Sequence, residues 1–349
     1  MDTWSEVDLL DQMVRIPSPS GAEEELSGFL ADALRGRGLE SWRDEVGNVF
    51  GSTGTGDGPT VLLLGHLDTV DDPIPAGRTD TQVVGRGAVD AKGPLAAMIG
   101  AATRCQDFPG RLVVAGVVEE ETPASRGAMH VRDTWPRPDA LVIGEPSGWD
   151  TVVLGYKGKI DVRYDVYCPP THPSNPAPKA TELAAAFWQS AYAAAGAEPS
   201  HARFDCTGVT LNEMCGDLSR ASLSISYRTP VGFDAEALLE RLRAAAGDGR
   251  VELLNAVEAV RTDRRDPVVR ALTGAIRDAD GTPKHKIKTA TSDMNTLAEV
   301  WRIPMATYGP GDSRLDHSDE EAIPHEDLCR GVRVLCAALR QLATTEVVR

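Results

Sequence analysis

No apolar run in the chain approaches the roughly 18 residues that a membrane span requires; candidates such as Thr60–Leu64 are short and flanked by glycine and charge. The first residues mix Asp2, Glu6 and Asp8 with apolar positions. They lack the basic start and apolar stretch of a secretory leader, so a cytoplasmic protein with no membrane contact is expected. The cysteines, Cys105, Cys168, Cys206, Cys215, Cys329 and Cys336, form no CxxC pair and are too sparse for a disulfide scaffold, which implies reduced, buried thiols. Basic charge is scarce: 36 Lys and Arg stand against 52 Asp and Glu, a net charge of -16. Phosphate neutralisation needs a basic surface, so the charge argues against nonspecific nucleic-acid binding, although an acidic total leaves room for a local basic patch. The densest cationic cluster is Lys284, His285, Lys286 and Lys288. There is no internal repeat, and only Pro169–Pro178 is proline-rich enough to read as an exposed loop.

What remains is a globular composition, 42% hydrophobic and 25% charged, over 349 residues. At about 150 residues per domain that suggests two domains. Val7, Leu10 and Val14, then Leu26, Phe29, Leu30 and Leu34, recur at helical spacing around the break Ile16–Gly21. Thr60–Leu64, Arg111–Val118 and Ala140–Ile143 are short apolar runs of the kind that form doubly covered strands, and Ala-rich Pro94–Thr103 reads as a helix. This alternation predicts an α/β fold with a mainly parallel sheet flanked by helices. From Lys159 the pattern changes to period two, at Ile160, Val162, Tyr164 and Val166 and again at Ala221, Leu223, Ile225 and Tyr227. Helices are expected over Ala180–Ala195 and Ala235–Ala246, giving an α+β insertion of strand, helix, two or three strands, helix, strand. The expected organisation is a catalytic domain of residues 1–158 and 265–349, closed by a helix from His325 to Leu342, with an inserted domain of residues 159–264.

Candidate chemistry lies where strands end. In Gly65-His66-Leu67-Asp68-Thr69-Val70 the histidine and aspartate are two residues apart, a spacing that on extended backbone sends both to one side. An aspartate there can accept the spare imidazole proton and fix the tautomer for metal binding, although a structural histidine gives the same pattern. Asp90 sits in the glycine-rich turn before a helix, as a ligand or a helix cap. Glu119, Glu120 and Glu121 follow the second strand, Glu145 ends the third, and His317 lies in a late acidic loop. Three adjacent acids are costly to bury without a cation, although a solvated run is the plain alternative. Parallel sheets bind ligands at the carboxyl ends of their strands, so these positions converge on one edge. Two imidazoles and several carboxylates suit zinc, and five ligands exceed what one tetrahedral ion needs. Two ions sharing a bridging carboxylate are therefore expected.

The order Gly-His-x-Asp-Thr-Val, Gly-Arg-Gly-x-x-Asp-x-Lys-Gly, Glu-Glu-Glu, Gly-Glu-Pro and Asp-His resembles the dizinc aminoacylase, carboxypeptidase G and desuccinylase family over nearly the whole chain. The segments Ile143–Trp149, Gly155–Gly158 and Thr291–Asn295 are similar to the branch that releases lysine or ornithine from an amino-group carrier protein. The resemblance implies two Zn²⁺, with Co²⁺ as a possible substitute: His66 and Glu145 on one ion, Glu121 and His317 on the other, Asp90 between them. It makes Glu120 the general base, or Glu119 if the register slips by one, and has Asp68 orient His66. It also implies that the inserted domain is a lid that makes homodimer contacts. His172 would contact the substrate carbonyl unless it is a plain loop histidine, and Arg228 a substrate carboxylate unless it is a surface ion pair. Gly309, in Gly309-Pro310-Gly311, would let the backbone approach substrate, or simply make a turn.

The substrate so implied is an amino acid whose α-amino group is joined to the terminal glutamate side chain of a small acidic carrier protein. An enzyme of net charge -16 would repel such a carrier at long range, so Lys284, Lys286 and Lys288 are expected to form a local docking patch. An N-acetylornithine or N-acyl amino acid deacylase, and a catalytically inactive carrier-binding protein, are the alternatives.

Overall fold

A computed structural model describes residues 5–344; Met1–Trp4, part of the segment read above for a leader, lie outside the described residues. The chain forms two compact units. One comprises the chain up to Gly155, Thr262–Lys286 and the chain from Thr296 onward; the other comprises Tyr156–Arg261 and Ile287–Asn295.

The first unit is built on a mixed sheet. Its centre is four parallel neighbours in the order Arg111–Val117, Thr60–His66, Ala140–Gly144 and Met305–Thr307. Antiparallel strands extend it on both sides: Val49–Thr53 and Glu40–Arg43 beyond the first, Thr151–Tyr156 beyond the last. The central strands are continuous Val, Leu, Ile and Ala because both faces are covered, and Val61–Leu64, Leu112–Ala115 and Leu141–Ile143 are all at most 2% exposed. The flanking antiparallel strands carry weaker patterns and were not distinguished in the sequence.

Helix Lys92–Arg104 crosses this sheet, buried over most of its length. It can lie close because it presents Ala96, Ala97, Gly100, Ala101 and Ala102 rather than bulky side chains. The strands reciprocate: Gly65 and Gly144 are register partners, and a Cβ on Gly144 would come within 2.9 Å of Met98. These two glycines immediately precede His66 and Glu145, so the close helix–sheet approach also brings Asp90, just before the helix, towards both. Helices Glu6–Arg15, Pro267–Asp278 and His325–Thr344 complete that layer, and a small sheet of Gly77–Arg78, Gln82–Val84 and Ala322–Pro324 fixes the loop before Asp90 against the late loop.

The second unit has a four-stranded antiparallel sheet, ordered Gly208–Gly216, Arg220–Thr229, Gly158–Tyr167, Arg250–Val257. The period-two residues Ile160, Val162, Tyr164 and Val166, with Ala221, Leu223, Ile225 and Tyr227, form one face and pack on helices Ala180–Ala194 and Ala235–Ala245. Tyr164 stacks on Phe187 with centroids 3.9 Å apart, and the Tyr227 hydroxyl donates to Ala191 O at 2.9 Å, so both buried rings are satisfied. Among the described residues no helix is long and apolar enough to cross a membrane. The six cysteines are unpaired, but only Cys105 and Cys336 are buried; Cys215 is exposed.

Candidate metal centre

Because the four central strands run parallel, their carboxyl ends share one edge, and the chain leaves that edge through His66, Glu119–Glu121, Glu145 and Gly309. The glycine-rich turn adds Asp90 and the late loop adds His317. His66 is 1% exposed. Its Nδ1 donates to Asp68 O at 2.9 Å, which leaves Nε2 as the nitrogen that faces the carboxylates, Asp90 Oδ1 at 3.2 Å and Glu145 Oε1 at 3.9 Å. His317 Nε2 lies 3.2 Å from Asp90 Oδ2 and 2.9 Å from Glu121 Oε1. One oxygen of Asp90 thus faces each imidazole. Ligand atoms of His66, Glu120 and Glu145 lie within 4.8 Å of one another, as do those of His66, Asp90 and Glu121.

This donor set fits a pair of divalent cations. Two imidazole nitrogens and four carboxylates, two of them from the acidic loop, converge on one site, a concentration of negative charge that divalent ions would neutralise. The protonation pattern reports the same field. The Asp90 and Glu121 carboxylates raise His317 to about 10. Burial opposes a charge on His66, yet Asp68, Asp90 and the charge of Glu120 outweigh it and hold that ring well above the ordinary imidazole range.

Asp68 does more than face His66. The imidazole Nδ1 is nearer the Asp68 main-chain oxygen than Oδ1, which lies 3.4 Å away. The Asp68 carboxylate also accepts the amides of Glu120 and Glu121, at 2.9 and 3.0 Å, and the Ser20 hydroxyl at 2.8 Å. Burial works against its ionisation, but His66, Ser20 and the Glu121 amide keep the Asp68 carboxyl below its usual range. Glu23, 4% exposed, accepts the amides of Gly21 and Glu119 at 2.9 and 3.1 Å. Successive amides 119–121 of the acidic loop are thereby held by two buried carboxylates. The Glu119 side chain itself turns to Arg126, 2.8 Å away, while Glu120 and Glu121 belong to the two ligand-atom groups.

Residues that sequence reasoning passed over support the Asp90 side. Glu321, fully buried, accepts the amides of Val89 and Asp90, both at 2.9 Å, and pairs with Arg86 at 2.9 Å. Lys92, 1% exposed, donates to Met13 O at 3.1 Å and Ile16 O at 2.9 Å, at the end of the first helix; burial pushes its ammonium down to about 8. Glu321 follows the exposed Asp319 and Glu320 in one acidic run, with nothing in the sequence to set it apart.

The remaining candidates are placed differently. Gly309 packs beside Glu145: a Cβ there would meet Glu145 O and Pro94 Cβ, each at 2.7 Å, and its N–H and C=O are bonded to Ser147. Close packing at the site thus accounts for the glycine. His172 and Arg228 belong to the second unit. The exposed His172 ring accepts at Nδ1 from the Ser174 hydroxyl and amide, at 2.7 and 3.2 Å. Arg228 donates to Thr291 Oγ1 at 2.8 Å, and burial lowers its pKa against the pull of Asp161. Lys284, Lys286 and Lys288 alternate along the strand Lys284–Lys288, which puts them on one face; His285, on the other, bonds Thr273 at 3.0 Å. Lys284 pairs with Asp150 at 2.7 Å.

Comparison with known proteins agrees with this geometry. The profile of peptidase family M20/M25/M40 matches residues 62–341. The chain is 39% identical to the [LysW]-lysine hydrolase of Deinococcus radiodurans, over 98% of each chain. Among solved structures, a tripeptidase of Staphylococcus aureus is similar at TM-score 0.81 with 18% identity, over 97% of this chain and 98% of that one. A dinuclear metal binding peptidase of Bacillus subtilis is similar at TM-score 0.72 with 14% identity, over 97% and 98%. With strand ends delivering His66, the acidic loop and Glu145, a turn and a late loop adding Asp90 and His317, and the family profile spanning most of its length, this chain belongs to peptidase family M20/M25/M40, a family of metal-dependent hydrolases.

Proposed function

We propose that this enzyme hydrolyses the amide joining an amino acid's α-amino group to the terminal glutamate side chain of a small acidic carrier protein, releasing lysine, ornithine or a related amino acid. The observation that carries the chemistry is Asp90, whose two oxygens face His66 and His317 from opposite ends. The full-length likeness to a [LysW]-lysine hydrolase supports the carrier-linked substrate.

The residues that would hold two zinc ions, or cobalt in their place, are His66 and Glu145, Glu121 and His317, and Asp90 between them. Bound there, the ions acidify water towards a pKa of ~7 and polarise a carbonyl oxygen. Glu120 takes the proton from the attacking water, the water oxygen bonds to the amide carbon, and Glu120 returns that proton to the nitrogen as the C–N bond breaks. Asp68 holds Glu120 in place through its amide and keeps His66 presenting Nε2. His172 and Arg228 carry the roles that the family likeness suggests, towards the substrate's carbonyl and carboxylate. The face shared by Lys284, Lys286 and Lys288 supports local docking of an acidic carrier despite the net charge of -16. Six unpaired cysteines accord with a reducing, cytoplasmic setting, and a homodimer through the second unit completes the reading.

The test is intact-mass analysis of a purified carrier–lysine conjugate before and after incubation. Loss of the lysine mass with loaded enzyme, and none after chelation, is expected. Cleavage of small N-acyl amino acids with the conjugate left intact would assign the enzyme to deacylation instead.

A further inference from the structure

Asp90 and His317 come from separate loops, and neither is a residue of a ladder strand. His317 has φ 59°, a conformation that non-glycine residues rarely adopt and that surrounding structure must enforce. Within its own loop the bonds are local turns, Leu315 N–H to Asp312 O at 2.9 Å and Ser318 N–H to Leu315 O at 3.1 Å. A buried pair ties this loop to Asp90. Glu321 Oε1 takes the Val89 and Asp90 amides, and Oε2 takes Arg86 Nη1. The same Nη1 reaches Ser318 O, next to His317, at 3.1 Å, while Arg86 Nε donates to Asp72 O at 2.7 Å. Arg86 is 7% exposed and Glu321 0%.

A buried ion pair adds little stability over an apolar pair of the same shape, so stability alone gives no reason for this one. We infer that Arg86 and Glu321 form a positioning pair that sets Asp90 against His317 and so bears most on the metal position that includes His317, an inference that rests on reading those two residues as ligands. Asp90 is shared by both positions, but the His317 loop is also held by Arg86 through Ser318 O, so the pair acts more strongly on the position that includes His317, an asymmetry that a general packing role would not give.

Chelator-treated full-length enzyme is titrated with Co²⁺, followed by calorimetry and by the visible absorption of the bound ion. His317→Ala identifies the binding step that belongs to the His317 position. Arg86→Lys and Glu321→Gln, which are close in size to the residues they replace, are expected to weaken that step about 10- to 100-fold and the other step by clearly less. Arg86→Met extends the series if it folds. Equal weakening of both steps, or of neither, overturns the pair while His317→Ala still loses its step. A His317→Ala protein that keeps both steps overturns the ligand reading, and this inference with it.

Discussion

Loading the centre with metal should displace protons, and the number follows from the two imidazoles. His317 Nε2 lies 3.2 Å from Asp90 and 2.9 Å from Glu121, and those carboxylates raise it to about 10. For His66, burial resists protonation, but Asp68, Asp90 and Glu120 together lift it well above the ordinary value. The His317 ring of the metal-free protein is therefore cationic at pH 8, where an ordinary imidazole near ~6.5 would be almost wholly neutral. A ring that takes a metal must be neutral, so filling both positions at pH 8 releases at least the His317 proton, and about one more where a water ionises on loading. Each displaced proton steepens the apparent affinity about tenfold per pH unit, so the His317 proton alone makes the affinity of its position climb about tenfold per unit from neutral pH. The climb weakens near pH 10, where His317 loses its proton unaided. The same shift has a stability consequence of fixed sign. His317 stabilises the metal-free fold fully below its unfolded value near ~6.5, and that contribution is lost as pH rises through about 10. Calorimetry of Zn²⁺ binding at pH 8, in buffers of different ionisation enthalpy, counts the protons. At least about two are expected against about one for unperturbed rings, and a count of one or fewer refutes the charge state derived from this packing.

Three further outcomes follow from individual contacts. Glu120→Gln should lower kcat by about 10²- to 10⁴-fold with metal content unchanged, while Glu119→Gln, which removes only the contact with Arg126, should stay near wild type; the reverse result moves the base by one residue. Gly309→Ala drives a methyl to 2.7 Å from both Glu145 O and Pro94 Cβ, and should cost about 1–3 kcal/mol in denaturant unfolding; an unchanged midpoint would show that the site can give way. Reversing the charges of Lys284, Lys286 and Lys288 should raise KM for a carrier conjugate more than for a small N-acyl amino acid, and equal effects on the two substrates would discard the docking patch.

The main elements were legible because burial writes a period into the sequence. Thr60–His66, Arg111–Val117 and Ala140–Gly144 are covered on both faces and read as unbroken apolar runs, whereas Ile160–Val166 is covered on one face and alternates. Strands without such a contrast escaped. Glu40–Arg43 is partly exposed throughout, and Gly77–Arg78 and Ala322–Pro324 are too short to show a period. The ligand candidates were legible for another reason: strand ends and glycine-rich turns are local features that can be read along the chain. The carboxylates that hold them were not. Glu23 and Glu321 are fixed by amides that lie up to 96 and 232 positions away, a relation that only the fold creates.

The acidic run shows how main-chain geometry does what side-chain identity cannot. Glu119, Glu120 and Glu121 are chemically equivalent, so the sequence ranks them only through likeness to a family. In the structure Glu119 takes φ 58°, which turns the chain at that residue, and its amide is held by Glu23 while the next two are held by Asp68. With three successive donors pinned, the first side chain leaves towards Arg126 and the other two remain with the imidazoles. Glu23 has no direct part in the chemistry, yet burial and the nearby Asp68 charge raise its carboxyl above the usual range, opposed by the amides it accepts. Keeping two carboxylates buried side by side is costly unless each is matched by donors. Here the matching donors are the backbone of the acidic loop, so the interaction that makes the pair tolerable also aims Glu120 and Glu121 at His66 and His317.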